Sequence, residues 1–354
     1  MTTLTLAARQ EEHTTLRPLP WRRMAWVTWR QHRIALGGVA AFLGVLAVWI
    51  RIVGLQLHHA YTAATTCHTG SATCADLVTT FNNMNHVLIG GYVLQIVPAL
   101  IGAFVGAPVL ARELETGTFR YAWTQGFGRW RWTLAKLVAL GLVVATAAGA
   151  ISVLLSWYYQ PYLATGNQSL SLSEASPLAP GLFDLRGVSF AAWTLVAFAI
   201  GALAGLLIRR VVPAIVTTLA AYTVLALAAG NFLRQHYLAP LVTSTLNGAG
   251  SANGPGSALV LSQWWTKGGR FQFHSWMDAP PTLIKACATP PAGGGKSAPV
   301  SLYQCFAQHG YTQLTWYQPA NRFWLFQWIE GGWLLALSIL LIAAAVWLVH
   351  RRVA

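Results

Sequence analysis

Six long apolar runs alternate with shorter polar segments along the chain. They lack Asp, Glu, Lys and Arg and cover residues 34–50, 86–111, 137–160, 187–208, 211–230 and 331–349. As helices rising 1.5 Å per residue they reach roughly 26 to 39 Å, which brackets the ~30 Å hydrocarbon core of a bilayer. Backbone groups in lipid must bond internally, and the runs lack the alternation of barrel strands. The pattern predicts an all-α polytopic membrane protein with six transmembrane helices, named spans 1 to 6.

The segment that precedes span 1 is amphipathic. Residues 20–33 place four arginines in one helical sector and apolar side chains away from it, a pattern that predicts an N-terminal interfacial helix. A juxtamembrane anchor with Trp at headgroup level is the alternative interpretation. Span 1 itself is short, and we expect it to continue through residues 52–57 if Arg51 snorkels to the interface or faces a protein interior.

Composition and charge support the membrane interpretation. Of 354 residues, 55% are hydrophobic and 9% are charged, against roughly 25% charged in an average soluble domain. The net charge of +14 would suggest nucleic acid in a soluble protein, but most basic residues lie in short segments beside the apolar runs. Charges held at an anionic membrane surface have this placement. We therefore expect a lipid bilayer, and no nucleic acid, as a partner.

The distribution of Lys and Arg predicts the orientation. Six lie before span 1, five lie in residues 112–136, and pairs follow spans 4 and 6, whereas the short segments after spans 1 and 3 carry one each. Both termini are therefore expected in the cytoplasm, with no removable signal peptide. The predicted organisation is a cytoplasmic N-terminal segment, spans 1 to 5, an extracellular region, and span 6 with a cytoplasmic tail. These parts cover residues 1–33, 34–230, 231–330 and 331–354.

The four cysteines all fall on the expected outer side. Cys67 and Cys74 lie between spans 1 and 2, and Cys287 and Cys305 lie between spans 5 and 6. Two pairs confined to the oxidising side predict the disulfides Cys67–Cys74 and Cys287–Cys305. A zinc site at the first pair, with His58, His59 and His68 nearby, is the alternative, but the spacing matches no zinc pattern. We expect no metal.

The loop between spans 2 and 3 carries the most specific motif. The pattern E-x-E-x-G-T-F-R runs from Glu113 to Arg120, and Gly126, Arg129 and Lys136 follow before span 3. This pattern resembles the inner loop of ABC-2-type ABC transporter permeases, in which the loop forms a coupling helix that fits a groove in a separate ATPase subunit. The resemblance assigns ATPase coupling within residues 112–136 to Glu113, Glu115, Gly117, Thr118, Arg120, Arg129 and Arg131.

The residue types suit docking to a partner protein. Thr118 can cap the first N–H groups of a helix, and the arginines can donate to a partner's carboxylates. A positive-inside loop with aromatic anchors is the alternative. It explains the Arg and Trp residues but leaves the paired glutamates and Gly117-Thr118 without a role.

The resemblance extends over nearly the whole chain. It includes the amphipathic helix before span 1, the tight turn between spans 4 and 5, and the large cystine-containing external region before span 6. It implies a transmembrane subunit of a bacterial ABC exporter in the cytoplasmic membrane, working with ABC ATPase subunits that bind ATP and Mg and with a second permease copy as a homodimer. The chain itself is expected to hold no cofactor and to be no enzyme. Residues 293–297, Gly-Gly-Gly-Lys-Ser, resemble the end of an ATP-binding phosphate loop. That loop requires a glycine at position 290, where this chain has proline, so we expect no ATP site there.

Spans 2 and 5 line the central cavity in the resembled family. Their candidate substrate-pathway residues are Tyr92, Gln95, Phe104, Thr217, Thr218 and Tyr222. Ordinary interhelical packing is the alternative for each of them. Two small-residue motifs, Gly102-x-x-x-Gly106 and Gly201-x-x-x-Gly205, allow close helix contact, and one such face could meet the second copy. The path would suit an amphipathic or hydrophobic substrate.

There are three alternative functional classes for a chain of this kind. An ion-coupled secondary transporter normally keeps ionisable groups within its spans, and the predicted spans have almost none. An intramembrane enzyme would need a nucleophile and base or a ligand cluster at membrane depth, which the apolar runs lack. A non-transporting signalling or immunity subunit that uses the same ATPase coupling has the same sequence features and remains an alternative.

Overall fold

The structure, a computed structural model, describes residues 21–67, 72–85, 93–117, 129–164, 176–245, 258–288 and 302–352. The fold is mostly helical, and within these residues six helices are long and apolar enough to cross a membrane. This confirms the six predicted spans. Their bounds are Gly37–Thr66, Ile96–Thr116, Trp130–Tyr158, Ser189–Ile208, Val211–His236 and Ala320–Arg351.

Shorter elements connect the spans. Span 1 belongs to a single helix, Trp21–Thr66, so the predicted interfacial segment is helical and continues into span 1 without a break. The short helices are Ala72–Asn85, Gln160–Ala164, Pro180–Phe183, Pro281–Ala288 and Leu302–Gln308. The strands are β1 (Leu241–Thr245), β2 (Leu259–Lys267), β3 (Arg270–Phe273) and β4 (Tyr311–Gln318).

Several spans run past the ends that the apolar pattern predicted. Span 1 continues to Thr66, and its Arg51 guanidinium lies 4.4 Å from the centroid of the Trp157 ring on span 3. Span 5 continues to His236 and span 6 begins at Ala320, so Arg234 and Glu330 lie inside helices rather than in the external region. A span that is predicted from hydropathy ends at the first charged residue. A transmembrane helix can nevertheless continue through charged residues that pair with each other.

Span 4 lies at the centre of the bundle and packs against spans 2, 3, 5 and 6. Its two motif glycines both face the backbone of span 2. A Cβ on Gly201 would lie 2.3 Å from the Gly102 carbonyl oxygen, and a Cβ on Gly205 would lie equally close to the Ala107 carbonyl oxygen. Only glycine permits this backbone approach. Both small-residue faces are therefore occupied within the chain, and the expectation that one of them meets a second copy is wrong.

The region between spans 5 and 6 contains a four-stranded antiparallel sheet in the order β1-β4-β2-β3. The prediction of an all-α protein does not include these strands. Trp265, Phe273, Leu283 and Phe306 form an apolar core between the sheet and the two short helices of the region. A second cluster, containing Phe183 and Phe326, lies between the sheet region and the bundle. The sheet therefore has a core of its own and is packed onto the end of the bundle.

Both predicted disulfides are present, joining Cys67 to Cys74 and Cys287 to Cys305. Because the first pair is a disulfide, its sulfurs are not available as zinc ligands, and the zinc alternative is wrong. His58 instead shares a hydrogen bond of 2.8 Å with the Gly54 carbonyl oxygen and stacks on Trp157. His68 and the Gly-Gly-Gly-Lys-Ser segment lie outside the described residues.

Candidate functional site

The bundle has two distinct ends. We name the end where Arg209 and Arg210 join spans 4 and 5 the turn end, and the end that carries β1 to β4 the sheet end. Span 2 runs to the turn end and stops at Thr116, because Gly117 adopts a left-handed conformation with φ 71°. The motif that resembles a permease coupling loop begins in this last helical turn.

Glu113 joins span 2 to span 3. Its Oε1 lies 2.5 Å from the Lys136 Nζ, which also donates to the Val109 carbonyl oxygen at 3.1 Å. The Lys136 side chain is 1% exposed and the Glu113 side chain is 18% exposed. A buried ammonium needs a partner of this kind, since desolvating an unpaired charge is costly. The ion pair therefore fixes the end of span 2 against the beginning of span 3.

Glu115 joins span 2 to span 5. Its Oε2 accepts a hydrogen bond of 3.2 Å from the backbone N–H of Val211, the first residue of the span 5 helix. The first N–H groups of a helix have no partner within it, and the helix dipole favours a negative charge at that end. The two glutamates of the motif therefore contact spans 3 and 5 of their own chain.

The structure places the other predicted coupling residues less completely. Gly117 ends span 2, and Arg129 begins the helix Arg129–Tyr158. Arg131 is half-buried, with its guanidinium 5.3 Å from the centroid of the Trp130 ring. Thr118 and Arg120 lie outside the described residues. Their assignment to ATPase coupling stays a prediction.

The predicted pathway residues point in different directions. Gln95 and Tyr222 line the same pocket at the sheet end. Thr218 is buried and donates to the Ala214 carbonyl oxygen at 2.6 Å, whereas Phe104 and Thr217 are exposed on the flank of the bundle. Tyr92 lies outside the described residues. Of the five pathway residues that the structure describes, two therefore lie together.

A buried ionic cluster at the sheet end was missed by the sequence interpretation. The Arg234 Nε donates to Glu330 Oε2 at 3.1 Å, and its Nη2 donates to Glu330 Oε1 at 2.9 Å and also to Asp184 Oδ1. The Arg234 and Glu330 side chains are 2% and 0% exposed. Residues 229–233 form a π-helical turn immediately before Arg234, and such turns change the phase of a helix. The cluster joins spans 5 and 6 to the segment before span 4.

Aromatic donors complete the shell of Glu330. The Trp193 Nε1 donates to Glu330 Oε1 at 2.9 Å, and the Tyr237 hydroxyl donates to Oε2 at 3.1 Å. Trp333 in turn donates to the Tyr237 hydroxyl at 2.9 Å. In the sequence, the sign of this cluster was a charged residue at each end of the external segment, at positions 234 and 330. Only the opposite charges of these two residues indicated that they form an ion pair.

The pocket lies beside this cluster, between spans 2, 4 and 5, and contains about 50 Å³ of space. Asp184 and Gln95 supply its polar wall, and Phe190, Trp193 and Tyr222 supply its aromatic wall. The Gln95 Nε2 donates to the Pro180 carbonyl oxygen at 2.7 Å and lies 3.4 Å from Asp184 Oδ2. The pocket therefore has one carboxylate among aromatic rings.

Burial changes the titration of the cluster. Desolvation raises the pKa of Asp184 to about 7; Arg234 lowers it and the Glu330 carboxylate adds to the rise. Burial likewise raises the pKa of Tyr237 above its usual value. A carboxyl group with such a pKa exchanges its proton near neutral pH, and perturbed groups of this kind often mark functional sites.

Comparison with known proteins adds one match. A family model described as ABC-2 membrane transporter related matches residues 40–234, which is more than half of the chain. The matched range begins in span 1 and ends at Arg234, so it includes the turn-end contacts and Asp184. No curated protein and no solved structure matches the chain.

Proposed function

The chain belongs to the ABC-2 membrane transporter related family, and from that premise we propose that it acts as the permease subunit of an ATP-driven exporter. The substrate is amphipathic or hydrophobic and moves outward. Energy comes from separate ABC ATPase subunits, which bind ATP and Mg and dock at the loop 112–136. Family membership supports a multi-pass ABC transporter permease, and the direction, the partner and the substrate are our proposal.

The turn-end contacts are the observation that carries the coupling mechanism. The last turn of span 2 is fixed to span 3 through Glu113 and Lys136, and to span 5 through Glu115 and the Val211 amide. A partner that displaces the loop after Gly117 would therefore move three spans together. Packed helices shift as rigid elements, so a push at one end is transmitted along the bundle.

Charge supports placing the turn end in the cytoplasm. Arg209 and Arg210 are exposed there, and cytoplasmic segments of membrane proteins carry an excess of Lys and Arg. The two disulfides belong to the opposite, oxidising side. On this orientation both termini lie inside, and β1 to β4 lie outside.

A second copy of the chain completes the path in this proposal. The flank formed by spans 2 and 5 exposes Phe104, Val212, Val216 and Val224. Span 5, like spans 1 and 6, is mostly exposed on the single chain, whereas spans 2 and 4 are mostly buried. Such a flank suits a lateral helix contact within the membrane. The homodimer would enclose the substrate path along it.

Cysteine labelling tests the orientation. All four cysteines are paired in the two disulfides, so an introduced cysteine supplies the reactive thiol. In intact cells an impermeant maleimide should label Val242→Cys, on the exposed edge of β1, and should label Thr116→Cys, in the last turn of span 2, only after lysis. Labelling of Thr116→Cys from outside would overturn the coupling proposal.

Reconstitution tests the activity. The chain should copurify with an ABC ATPase, and proteoliposomes with that ATPase should move a fluorescent amphipathic probe only when ATP and Mg are supplied on the ATPase side. A matched sample with a hydrolysis-deficient ATPase controls for leakage. Movement that continues without ATP and stops with a protonophore would contradict the exporter.

An ion-coupled transporter is the second candidate, favoured by one observation. Arg234 and Glu330 lie inside spans 5 and 6, and intramembrane ionisable groups often carry coupling ions. Glu330, however, already accepts hydrogen bonds from Arg234, Trp193 and Tyr237. A carboxylate that already accepts this many hydrogen bonds is better suited to a structural role than to binding and releasing a coupling ion. The protonophore arm of the reconstitution separates the two candidates.

A further inference from the structure

The pocket at the sheet end has an excess of negative charge close to it. Asp184 and Glu330 supply two carboxylates, and Arg234 supplies one guanidinium. Glu330 is fully buried and surrounded by donors, so its charge is neutralised locally. Asp184 is 22% exposed and lines the pocket. The uncompensated charge therefore lies on the pocket side of the cluster.

The two oxygens of Asp184 have different surroundings. Oδ1 accepts the Arg234 Nη2, whereas Oδ2 has the Gln95 amide at 3.4 Å, which is a weak hydrogen bond. A carboxylate oxygen can accept more than one strong donor. Oδ2 therefore retains capacity for a positively charged group.

Aromatic rings form the rest of the wall. Trp193 and Tyr222 meet edge to face, with centroids 5.6 Å apart, and Phe190 lies one helical turn from Trp193 on span 4. Ring faces attract ammonium groups through the negative end of their quadrupole, most strongly at Trp and Tyr. An anion would meet neither a guanidinium nor an ammonium among the residues that line this pocket.

We propose that this pocket binds the ammonium group of an organic cation, with Asp184 as the counter-ion and Trp193 and Tyr222 as the aromatic wall. The inference names the substrate class of the proposed exporter and so rests on that function. The space of about 50 Å³ suits a head group rather than a whole amphiphile, so the apolar part of the ligand lies outside the pocket. The same chemistry is offered by a free amphipathic cation and by an amine-bearing lipid headgroup.

Direct binding tests the proposal without any ATPase. The purified chain is placed in phosphatidylglycerol nanodiscs, and equilibrium binding of radiolabelled benzyltrimethylammonium is measured. We expect saturable binding that neopentylbenzene, in which carbon replaces the nitrogen, does not displace. Asp184→Asn and Tyr222→Leu should each weaken binding by about tenfold or more, whereas Tyr222→Phe retains the ring and should bind nearly as well as the wild type.

Asp76→Asn is the matched control for charge. Asp76 is exposed on the helix Ala72–Asn85, so its neutralisation changes the net charge equally but leaves the pocket intact. Wild-type affinity in this variant and loss in Asp184→Asn support the site. Equal affinity in both variants, or displacement by neopentylbenzene, overturns it. If Asp184→Asn does not fold, the comparison of Tyr222→Leu with Tyr222→Phe decides alone, and equal binding by these two overturns the aromatic wall.

Two further measurements are needed. One distinguishes a lipid headgroup from a free cation as the ligand, and the other distinguishes failure of the cation site from failure of the exporter function. Phosphatidylethanolamine added to the nanodiscs displaces the label if the lipid headgroup also occupies the pocket, and leaves it bound if free cations are the ligands. Absence of cation binding in a chain that still exports with its ATPase overturns this inference alone. Binding by a chain that never exports leaves the pocket in place and removes the exporter.

Discussion

The Glu115 carboxylate accepts a hydrogen bond from the backbone amide of Val211, 96 residues further along the chain. The contact is local in space because span 2 ends at Gly117 just where span 5 begins. It combines the two favourable features of a helix N-terminus, an unpaired N–H group and the positive end of the dipole. The end of span 2 therefore stabilises the first turn of span 5 and joins the two spans mechanically.

Replacing Glu115 should impair coupling more than folding. Glu115→Ala removes both the acceptor and the charge, whereas Glu115→Gln keeps an acceptor and loses the charge. Loss of such a contact costs about 0.5 to 2 kcal/mol, which a folded bundle tolerates. We expect ATP-dependent export to fall in the order wild type, Gln, Ala, while copurification of the ATPase is retained. Export by Glu115→Ala at the wild-type rate would contradict the mechanical role.

The Glu113–Lys136 pair should behave as a unit in stability measurements. Glu113→Gln leaves the buried Lys136 ammonium without its counter-ion, and breaking a buried pair costs about 3 to 5 kcal/mol. Replacing both partners by apolar groups, as in Glu113→Leu with Lys136→Met, removes the charge and should restore most of the melting temperature. Thermal melts of the detergent-solubilised variants measure this. Additive losses in the double variant would show that the two side chains act independently.

The contact between spans 2 and 4 should not tolerate a methyl group. Gly201→Ala would place a Cβ 2.3 Å from the Gly102 carbonyl oxygen, so the two helices must separate. Gly149→Ala on span 3 is the matched control, since a Cβ there has no atom of the described residues within 4 Å. In an open helix position alanine is favoured over glycine by about 1 kcal/mol. We expect a lower melting temperature for Gly201→Ala and an equal or higher one for Gly149→Ala, and similar melts would contradict the close packing.

Periodicity and charge were sufficient for the spans because lipid imposes a simple rule on the sequence. Each apolar run must be a helix of about 20 residues, and the six observed spans follow the six runs. The ends were harder to predict. A charged residue usually marks the interface, but Arg234 and Glu330 lie within helices because they neutralise each other across 96 residues of sequence.

For the candidate site, the sequence indicated where the contacting residues lie but not which groups they contact. The motif around Glu113 and Glu115 stood out by its residue types, yet its contacts with Lys136 and the Val211 amide depend on how spans 2, 3 and 5 pack. The glycine motifs indicated close helices without indicating that they face each other. Likewise, no local pattern connects Asp184 with Arg234, since such pairs are set by tertiary structure.

The titration of Asp184 gives a prediction for the pH dependence of stability. Burial raises its pKa to about 7 in the folded chain, against about 3.9 for an unperturbed aspartate. The folded state therefore binds a proton that the unfolded state releases, so this contribution to stability is complete below about pH 4 and is lost as the pH rises through about 7. Arg234, Glu330 and Tyr222 are the ionisable groups that face the carboxyl group.

The predicted loss of stability with rising pH is tested by the melting temperatures of the wild type and Asp184→Asn, measured from pH 5.5 to 8.5. The difference between the two proteins isolates Asp184, because all other ionisable groups are common to both. We expect the wild type to lose melting temperature relative to Asp184→Asn as the pH rises from about 6 to 8. Asp76→Asn should follow the wild-type curve, since Asp76 is exposed. Parallel curves for the wild type and Asp184→Asn would show that Asp184 does not change its protonation in this range, and a wild type that gains stability on the alkaline side would show that Arg234 outweighs burial.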